Sequence, residues 1–246
     1  MGFDVSGKTV LITGANRGIG KAFLESMLKA GAGKVYAAVR NPASVNDLVE
    51  STEGRVVAVP LDLANEDSII AAANSVGEVD IVINNAGVLK ISDPFSENAF
   101  EALDYEIDVN VKGLIRMARA FAPLLEKSSG VFAQLNSVAS LRCFADFTTY
   151  CASKAAAYSV TQALHDLLQP KGVRVISVHP GPILTDMGNE AGLTEIAEPP
   201  ELVAEGFLKA LSNDDYHVFP DTMAKNFWQA YKAFAQGVVE PQAQEG

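Results

Sequence analysis

The sequence predicts an α/β fold, a doubly wound parallel sheet of seven strands in a single domain. Three observations point there. Short runs rich in Val and Ile alternate with longer segments of helical period, the alternation continues through six strands, and no linker, repeat or low-complexity stretch interrupts it. Parallel neighbours need a crossover of a dozen or so residues, usually a helix, and a sheet covered on both faces reads as continuous apolar runs. The 246 residues, 48% hydrophobic and 20% charged, suffice for such a core without a disulfide or structural metal.

The predicted strands are 9–13, 34–39, 56–61, 79–83, 131–137 and 173–179, each short, apolar and bounded by turn residues. Helices are expected between them at 19–30, 42–50, 66–76, 97–126 and 150–169, where apolar residues recur at three- and four-residue spacing. A helix at 201–211 leads to a seventh short strand at 216–219. Beyond it lies an apolar helix at 222–239 bearing Phe227, Trp228, Tyr231 and Phe234, by default intrachain core but able to cap a pocket or meet a partner. Residues 240–246 read as a frayed tail. The least regular stretch, 182–200, contains Gly188, Gly192 and the Pro199-Pro200 break and follows the end of strand six directly. Ligands of open α/β sheets bind beyond the carboxyl ends of the strands, so this stretch is expected to be a substrate lid.

Thirty acidic against nineteen basic residues give a net charge of −11, with no basic cluster to attract a phosphate backbone, which argues against nucleic-acid binding. No stretch is long enough to span a bilayer. Two cysteines, Cys143 and Cys151, and a start without the basic-then-apolar pattern of a secretory signal favour the reducing cytoplasm. Both cysteines read as small pocket or core residues. His165, His179 and His217 are scattered over different elements and form no metal-ligand spacing, so no metal is expected; His179 reads as a packed strand-end residue.

The first strand runs into Gly14-Ala15-Asn16-Arg17-Gly18-Ile19-Gly20, where a helix opens. Gly14 permits a tight turn, Gly18 lets the backbone approach a pyrophosphate, and Gly20 lets the helix pack closely on the strand. The helix N-terminal amides then face the phosphates. An acid about 20 residues beyond such glycines selects a free ribose. Val39 stands there, with Arg40 beside it and Arg17 in the turn, a pair of cations suited to a 2′-phosphate.

The Gly-x-x-x-Gly-x-Gly spacing resembles that of the classical short-chain dehydrogenases/reductases, a Rossmann-type family, and the resemblance extends over about residues 7–185. Asn84-Asn85-Ala86-Gly87 is similar to the family's NNAG motif after strand four, and Asp62-Leu63 stands where the family contacts adenine. Pro180-Gly181 closes strand six as in the family, with Ile183 and Thr185 beyond it, Thr185 where the nicotinamide carboxamide is held. Asn110, Ser137, Tyr150 and Lys154 match the catalytic tetrad in order and spacing. The resemblance and the Arg pair together imply NADP(H).

The chemistry suits those residue types. Tyr150 and Lys154, four apart on one helical face, can supply a proton to the alkoxide that hydride addition creates, Lys154 lowering the pKa of the phenol. Ser137 can donate to the carbonyl oxygen. Asn110 resembles the family residue that holds a water for proton relay to Lys154. Val138, Leu141, Cys143, Phe144 and Phe147, with Ile183, Leu184, Met187 and Leu193 of the lid, promise an apolar pocket in which Arg142 is the sole cation. The expected function is reversible NADPH-dependent reduction of a hydrophobic ketone to a secondary alcohol by a homodimer or homotetramer. The alternatives are a 3-oxoacyl-thioester reductase, disfavoured by the acidic surface, and a non-catalytic NADP-sensing interaction protein, which would have no need of a proton donor.

Overall fold

A computed structural model describes residues 2–240. Strands β1 (Thr9–Thr13), β2 (Lys34–Val39), β3 (Val56–Pro60), β4 (Ile81–Asn84), β5 (Val131–Leu135), β6 (Arg174–Val178) and β7 (His217–Val218) form one parallel sheet in the order β3-β2-β1-β4-β5-β6-β7. Alternation within each strand divides the core into two layers. Val10 and Ile12 face one side with Phe23 and Met27 of α1 (Gly18–Lys29) and Phe207 of α8 (Glu201–Asn213), and the Phe23 and Phe207 rings meet edge-on at 5.5 Å. Leu11 and Val82 face the other with Ile69 of α3 (Glu66–Val76), Phe121 of α5 (Gly113–Ser128) and Ala157 of α6 (Thr148–Leu168). The order reverses between β1 and β4, so their carboxyl ends open a crevice at the switch point.

The first two strands and the helix at 66–76 coincide with the predicted ranges; elsewhere the bounds shift. Strand five stops at Leu135, because Asn136 and Ser137 turn away to bond β6 and the segment after it. The expected helix at 42–50 is a 3₁₀ turn, Pro42–Val45, capped by the Asn41 side chain, and then α2 (Asn46–Ser51). The expected helix at 97–126 is three pieces: α4 (Ala99–Glu106), a π-helical turn (Ile107–Lys112) and α5. The wider π turn buries Asn110 and clamps its side chain to Val88.

The last predicted helix divides likewise into α9 (Thr222–Phe234) and a π turn, Ala235–Val239. Its Trp228 stacks on Phe219 at 5.0 Å and its Tyr231 hydroxyl meets that of Tyr158 at 3.2 Å, so these two aromatics are intrachain packing. Of the expected tail, 241–246 lie outside the described residues. Glu240 is not frayed: its carboxylate pairs with the buried His217 ring at 2.9 Å. No helix among the described residues is long and apolar enough to cross a membrane.

Candidate active site

A cleft of about 700 Å³ lies over the carboxyl ends of the strands. The Gly14–Gly20 turn forms one end. Asn85 locks that turn to β4: its side chain donates to the Thr13 carbonyl at 2.8 Å, while the Thr13 hydroxyl accepts from the Asn85 and Ala86 amides at 2.9 Å each. Gly20 has no room for a side chain, since a Cβ there would sit 2.1 Å from the Gly14 carbonyl oxygen. Gly18 has φ +51°, and a Cβ would meet the Thr185 methyl at 2.8 Å, so the turn packs closely against the Thr185 side chain. No side chain caps the N-terminus of α1, which leaves its first amides for an anion.

Asn16, Arg17, Ile19, Arg40, Asp62, Leu63, Asn85, Ala86 and Gly87 line this half, and Tyr150, Lys154, Pro180, Gly181, Ile183 and Thr185 the other. Two predicted residues stand behind the wall. Gly20 is in the helix–strand contact. Asn110 is held by Val88 on both amide atoms and by Ser153 at 2.9 Å, although its Oδ1 lies within 3.1 Å of a Cβ placed on Gly87 and Lys154 Nζ within 3.5 Å of the same point. Asn110 and Lys154 therefore converge on Gly87. Both arginines line the cleft: Arg17 reaches across to the 182–200 stretch and pairs with Asp186 at 2.7 Å, while Arg40 is exposed just past the end of β2.

Ser137, Tyr150 and Lys154 meet in the cleft, away from the glycine turn. Ser137 leaves β5 in an extended conformation, its hydroxyl accepting from the Ala139 amide at 3.1 Å and donating to the Pro180 carbonyl at 3.3 Å. It also faces the Tyr150 phenol and favours its ionisation, though burial outweighs this and raises the phenol well above its ordinary pKa. The Lys154 ammonium lies 5.8 Å from the Tyr150 ring centre and donates to the Leu135 carbonyl at 2.8 Å; burial pushes it down to about 8. His179 is packed as expected, wholly buried and stacked on Phe219 at 4.9 Å. It nevertheless approaches Ser137: its Nδ1 lies 3.3 Å from the Ser137 carbonyl and 3.0 Å from the Ser140 hydroxyl. Burial pushes it down to about 3, so the ring is neutral.

Matching residues 8–195, the family pattern of the short chain dehydrogenases covers more than half of the sequence. The chain belongs to the short-chain dehydrogenase family. Within curated members it is 33% identical to L-xylulose reductase of Bos taurus over 193 residues, 78% of each chain, and 33% identical to D-erythrulose reductase of Gallus gallus over 184 residues, 74% of each. A short chain dehydrogenase from Burkholderia cenocepacia, solved in complex with NADP, superposes with a TM-score of 0.85 at 31% identity, covering 97% of this chain and all of the other. This short-chain dehydrogenase is thus an oxidoreductase.

The expected pocket wall is partly corrected. Val138, Phe144, Phe147, Ile183, Met187 and Leu193 line the cleft of the dehydrogenase, but Leu141, Cys143 and Leu184 do not. Leu184 is 42% exposed because Ile183 and Glu198 pair as a bridge and turn their neighbours outward. Cys143 is exposed and Cys151 buried; both sulfurs approach the Phe144 carbonyl, at 3.7 and 3.9 Å. Sequence reasoning missed Leu89, Tyr105, Ile196 and Met223, which complete the apolar wall. Leu89 was within reach, two residues beyond the Asn-Asn-Ala-Gly run; Met223, from the first turn of α9, carried no local signal.

Proposed function

We propose that this oxidoreductase is an NADPH-dependent carbonyl reductase, reversible as an alcohol dehydrogenase, acting on hydrophobic ketones. The observation that carries the reading is the meeting of Ser137, Tyr150 and Lys154 beside an apolar wall, at one end of a cleft whose other end is a glycine-rich anion cradle. The cradle fits a dinucleotide phosphate, with amides left uncapped at α1, Gly18 at a φ that L residues rarely adopt, Gly20 closed against the Gly14 carbonyl, and Arg17 and Arg40 for a 2′-phosphate. The relative bound to NADP supports the choice of NADPH. Asp62, Leu63, Asn85, Ala86 and Gly87 would flank the adenosine half, and Pro180, Gly181, Ile183 and Thr185 the nicotinamide half.

When bound, the nicotinamide would supply or accept the hydride. Ser137 donates to the carbonyl oxygen and stabilises the charge that develops there. Tyr150 gives its proton to that oxygen, and the Lys154 ammonium stabilises the phenolate left behind. Asn110 holds Val88 and Ser153 in place beside Lys154, where a water relay would run. The stretch 182–200 closes the cleft as a lid, Thr185 capping α7 (Asp186–Glu190) and Glu198 fixing its return strand to α9. Leu89, Val138, Phe144, Phe147, Leu193 and Ile196 favour an apolar substrate.

The test follows nicotinamide absorbance with NADPH or NADH against bulky aromatic ketones, small aliphatic ketones and L-xylulose, alongside Tyr150→Phe. Turnover of bulky ketones with NADPH that disappears in Tyr150→Phe is the expected result. Preference for L-xylulose would overturn the hydrophobic assignment and leave the mechanism. NADPH binding without turnover of any carbonyl would overturn the enzymatic reading.

A further inference from the structure

Ser137 is enclosed by a chain of hydrogen bonds that the chemistry above does not use. The Asn136 side-chain amide donates to the Ser177 hydroxyl at 2.9 Å, and the Ser177 oxygen lies 2.7 Å from His179 Nε2. Across the ring, Nδ1 faces the Ser140 hydroxyl at 3.0 Å and the Ser137 carbonyl at 3.3 Å, and the Ser140 hydroxyl donates to that same carbonyl at 2.5 Å. The chain leaves from the residue before Ser137 and returns to Ser137 itself. Asn136, Ser177 and His179 are all buried, where a polar group is costly unless it is paired.

Both sides of the ring assign its tautomer. A carbonyl oxygen can only accept, so Nδ1 carries the proton. The Ser177 oxygen accepts from Asn136, which leaves its own hydrogen for Nε2. Burial holds the ring neutral, so one donor and one acceptor stay in place at every ordinary pH. Packing fixes its plane: it stacks on Phe219 at 4.9 Å and meets Tyr158 edge-on at 4.6 Å. The ring stands behind the wall of the cleft. Ser137 needs such support, since it has left β5 and its hydroxyl donates to the Pro180 carbonyl at 3.3 Å, a long bond that a substrate carbonyl can replace.

We propose that His179 is a positioning residue for the oxyanion donor: its Nδ1–H, acting on the Ser137 carbonyl directly and through Ser140, fixes the turn that aims the Ser137 hydroxyl at the substrate carbonyl. The inference rests on Ser137 donating to that oxygen, as proposed above. His179 touches neither substrate nor cofactor and exchanges no proton.

The experiment measures NADPH-dependent reduction of whichever carbonyl in the panel above is turned over fastest, with single-turnover absorbance for slow variants. His179→Phe, His179→Asn and Ser140→Ala are each made in the wild type and in a Ser137→Ala background. Phenylalanine keeps a ring between Phe219 and Tyr158 but has no Nδ1–H, asparagine returns an amide donor near the Nδ1 position, and Ser140→Ala removes one arm without touching the ring. A misplacement of about 1 Å costs roughly 100-fold, so kcat should fall about 10- to 100-fold in His179→Phe with nucleotide affinity unchanged. It should recover most of that loss in His179→Asn and fall severalfold in Ser140→Ala. Once Ser137 is alanine, neither His179→Phe nor Ser140→Ala should lower kcat further, because no hydroxyl is left to aim. Losses that multiply in the Ser137→Ala background, or wild-type kcat in His179→Phe, would overturn the proposal. If His179→Phe does not fold, Ser140→Ala with and without Ser137→Ala decides on the same terms. Wild-type turnover in Ser137→Ala alone would instead overturn the Ser137 assignment on which the inference rests.

Discussion

Lys154 donates to the Leu135 carbonyl at 2.8 Å with its ammonium 5.8 Å from the centre of the Tyr150 ring, so a buried cation is anchored by the end of β5 beside the phenol it would serve. Its position has an energetic cost. The unfolded chain keeps this proton up to about pH 10.4, whereas the folded chain releases it at about 8. Between those values the unfolded state binds more protons, so stability rises with pH across the window. Below it the buried charge costs about 3 kcal/mol, of which about 1 kcal/mol returns through the Leu135 bond. Lys154→Met should therefore raise stability by about 2 kcal/mol at pH 7, with the gain closing toward pH 10, while abolishing turnover. Thermal unfolding at both pH values checks it; a variant less stable at pH 7 would contradict the argument.

Arg17 is held by Asp186 at 2.7 Å in an exposed pair, and such pairs are worth about 0.2–1 kcal/mol. A 2′-phosphate offering a charge-assisted fork is the stronger partner, at about 1.5–3 kcal/mol. Arg17→Ala and Arg40→Ala are each expected to weaken NADPH binding about 10- to 100-fold and leave NADH unchanged. Asp186→Asn should tighten NADPH a few-fold. Fluorescence titration with the two nucleotides measures all three, and equal losses for NADH would show that these arginines do not read the 2′ position.

Legibility in the sequence follows how local each signal is. Strands β1 and β2 stand where predicted because buried Val/Ile runs end at residues that must turn, and Ser137, Tyr150 and Lys154 could be placed together because strand ends and a four-residue helical spacing converge at one sheet edge. The π turn at Ile107–Lys112 is hidden because one extra residue barely perturbs an apolar period; the backbone shows it, and it seats Asn110 on Val88. Leu184 illustrates another limit: composition marks it as a pocket wall, and the pairing of Ile183 with Glu198 decides that it faces outward. The partners of Met223 come from elements distant in sequence, and no local pattern names them.

Gly20 and Gly18 separate packing from approach to the cofactor. A methyl on Gly20 meets backbone at 2.1 Å, which no rotamer can relieve, whereas one on Gly18 meets the movable Thr185 side chain at 2.8 Å, at a φ that L residues rarely adopt. Gly20→Ala is expected to cost about 3 kcal/mol or more and to yield little folded protein. Gly18→Ala should cost about 1 kcal/mol and chiefly weaken dinucleotide binding. Denaturant unfolding of the two variants gives the order, and equal costs would place both glycines in the same role.

His179 should govern the acid side of stability. The ring is wholly buried, with Nε2 at 2.7 Å from the Ser177 hydroxyl and Nδ1 facing the Ser140 hydroxyl and the Ser137 carbonyl, and burial holds its pKa at about 3. In the unfolded chain it protonates at about 6.5. Between these values the unfolded state binds the extra proton, so stability is full above pH 6.5 and falls as pH drops, by about 1.4 kcal/mol per unit. His217, also depressed by burial although Glu240 opposes the shift, adds to the same slope. Between pH 7 and pH 5 the wild type should lose about 2 kcal/mol more than His179→Gln, which removes the titrating ring but keeps an amide near Ser140. Equilibrium unfolding at the two pH values decides it: parallel losses in both proteins would mean that acid sensitivity originates elsewhere, and a flatter profile in the variant would tie it to the ring packed behind Ser137.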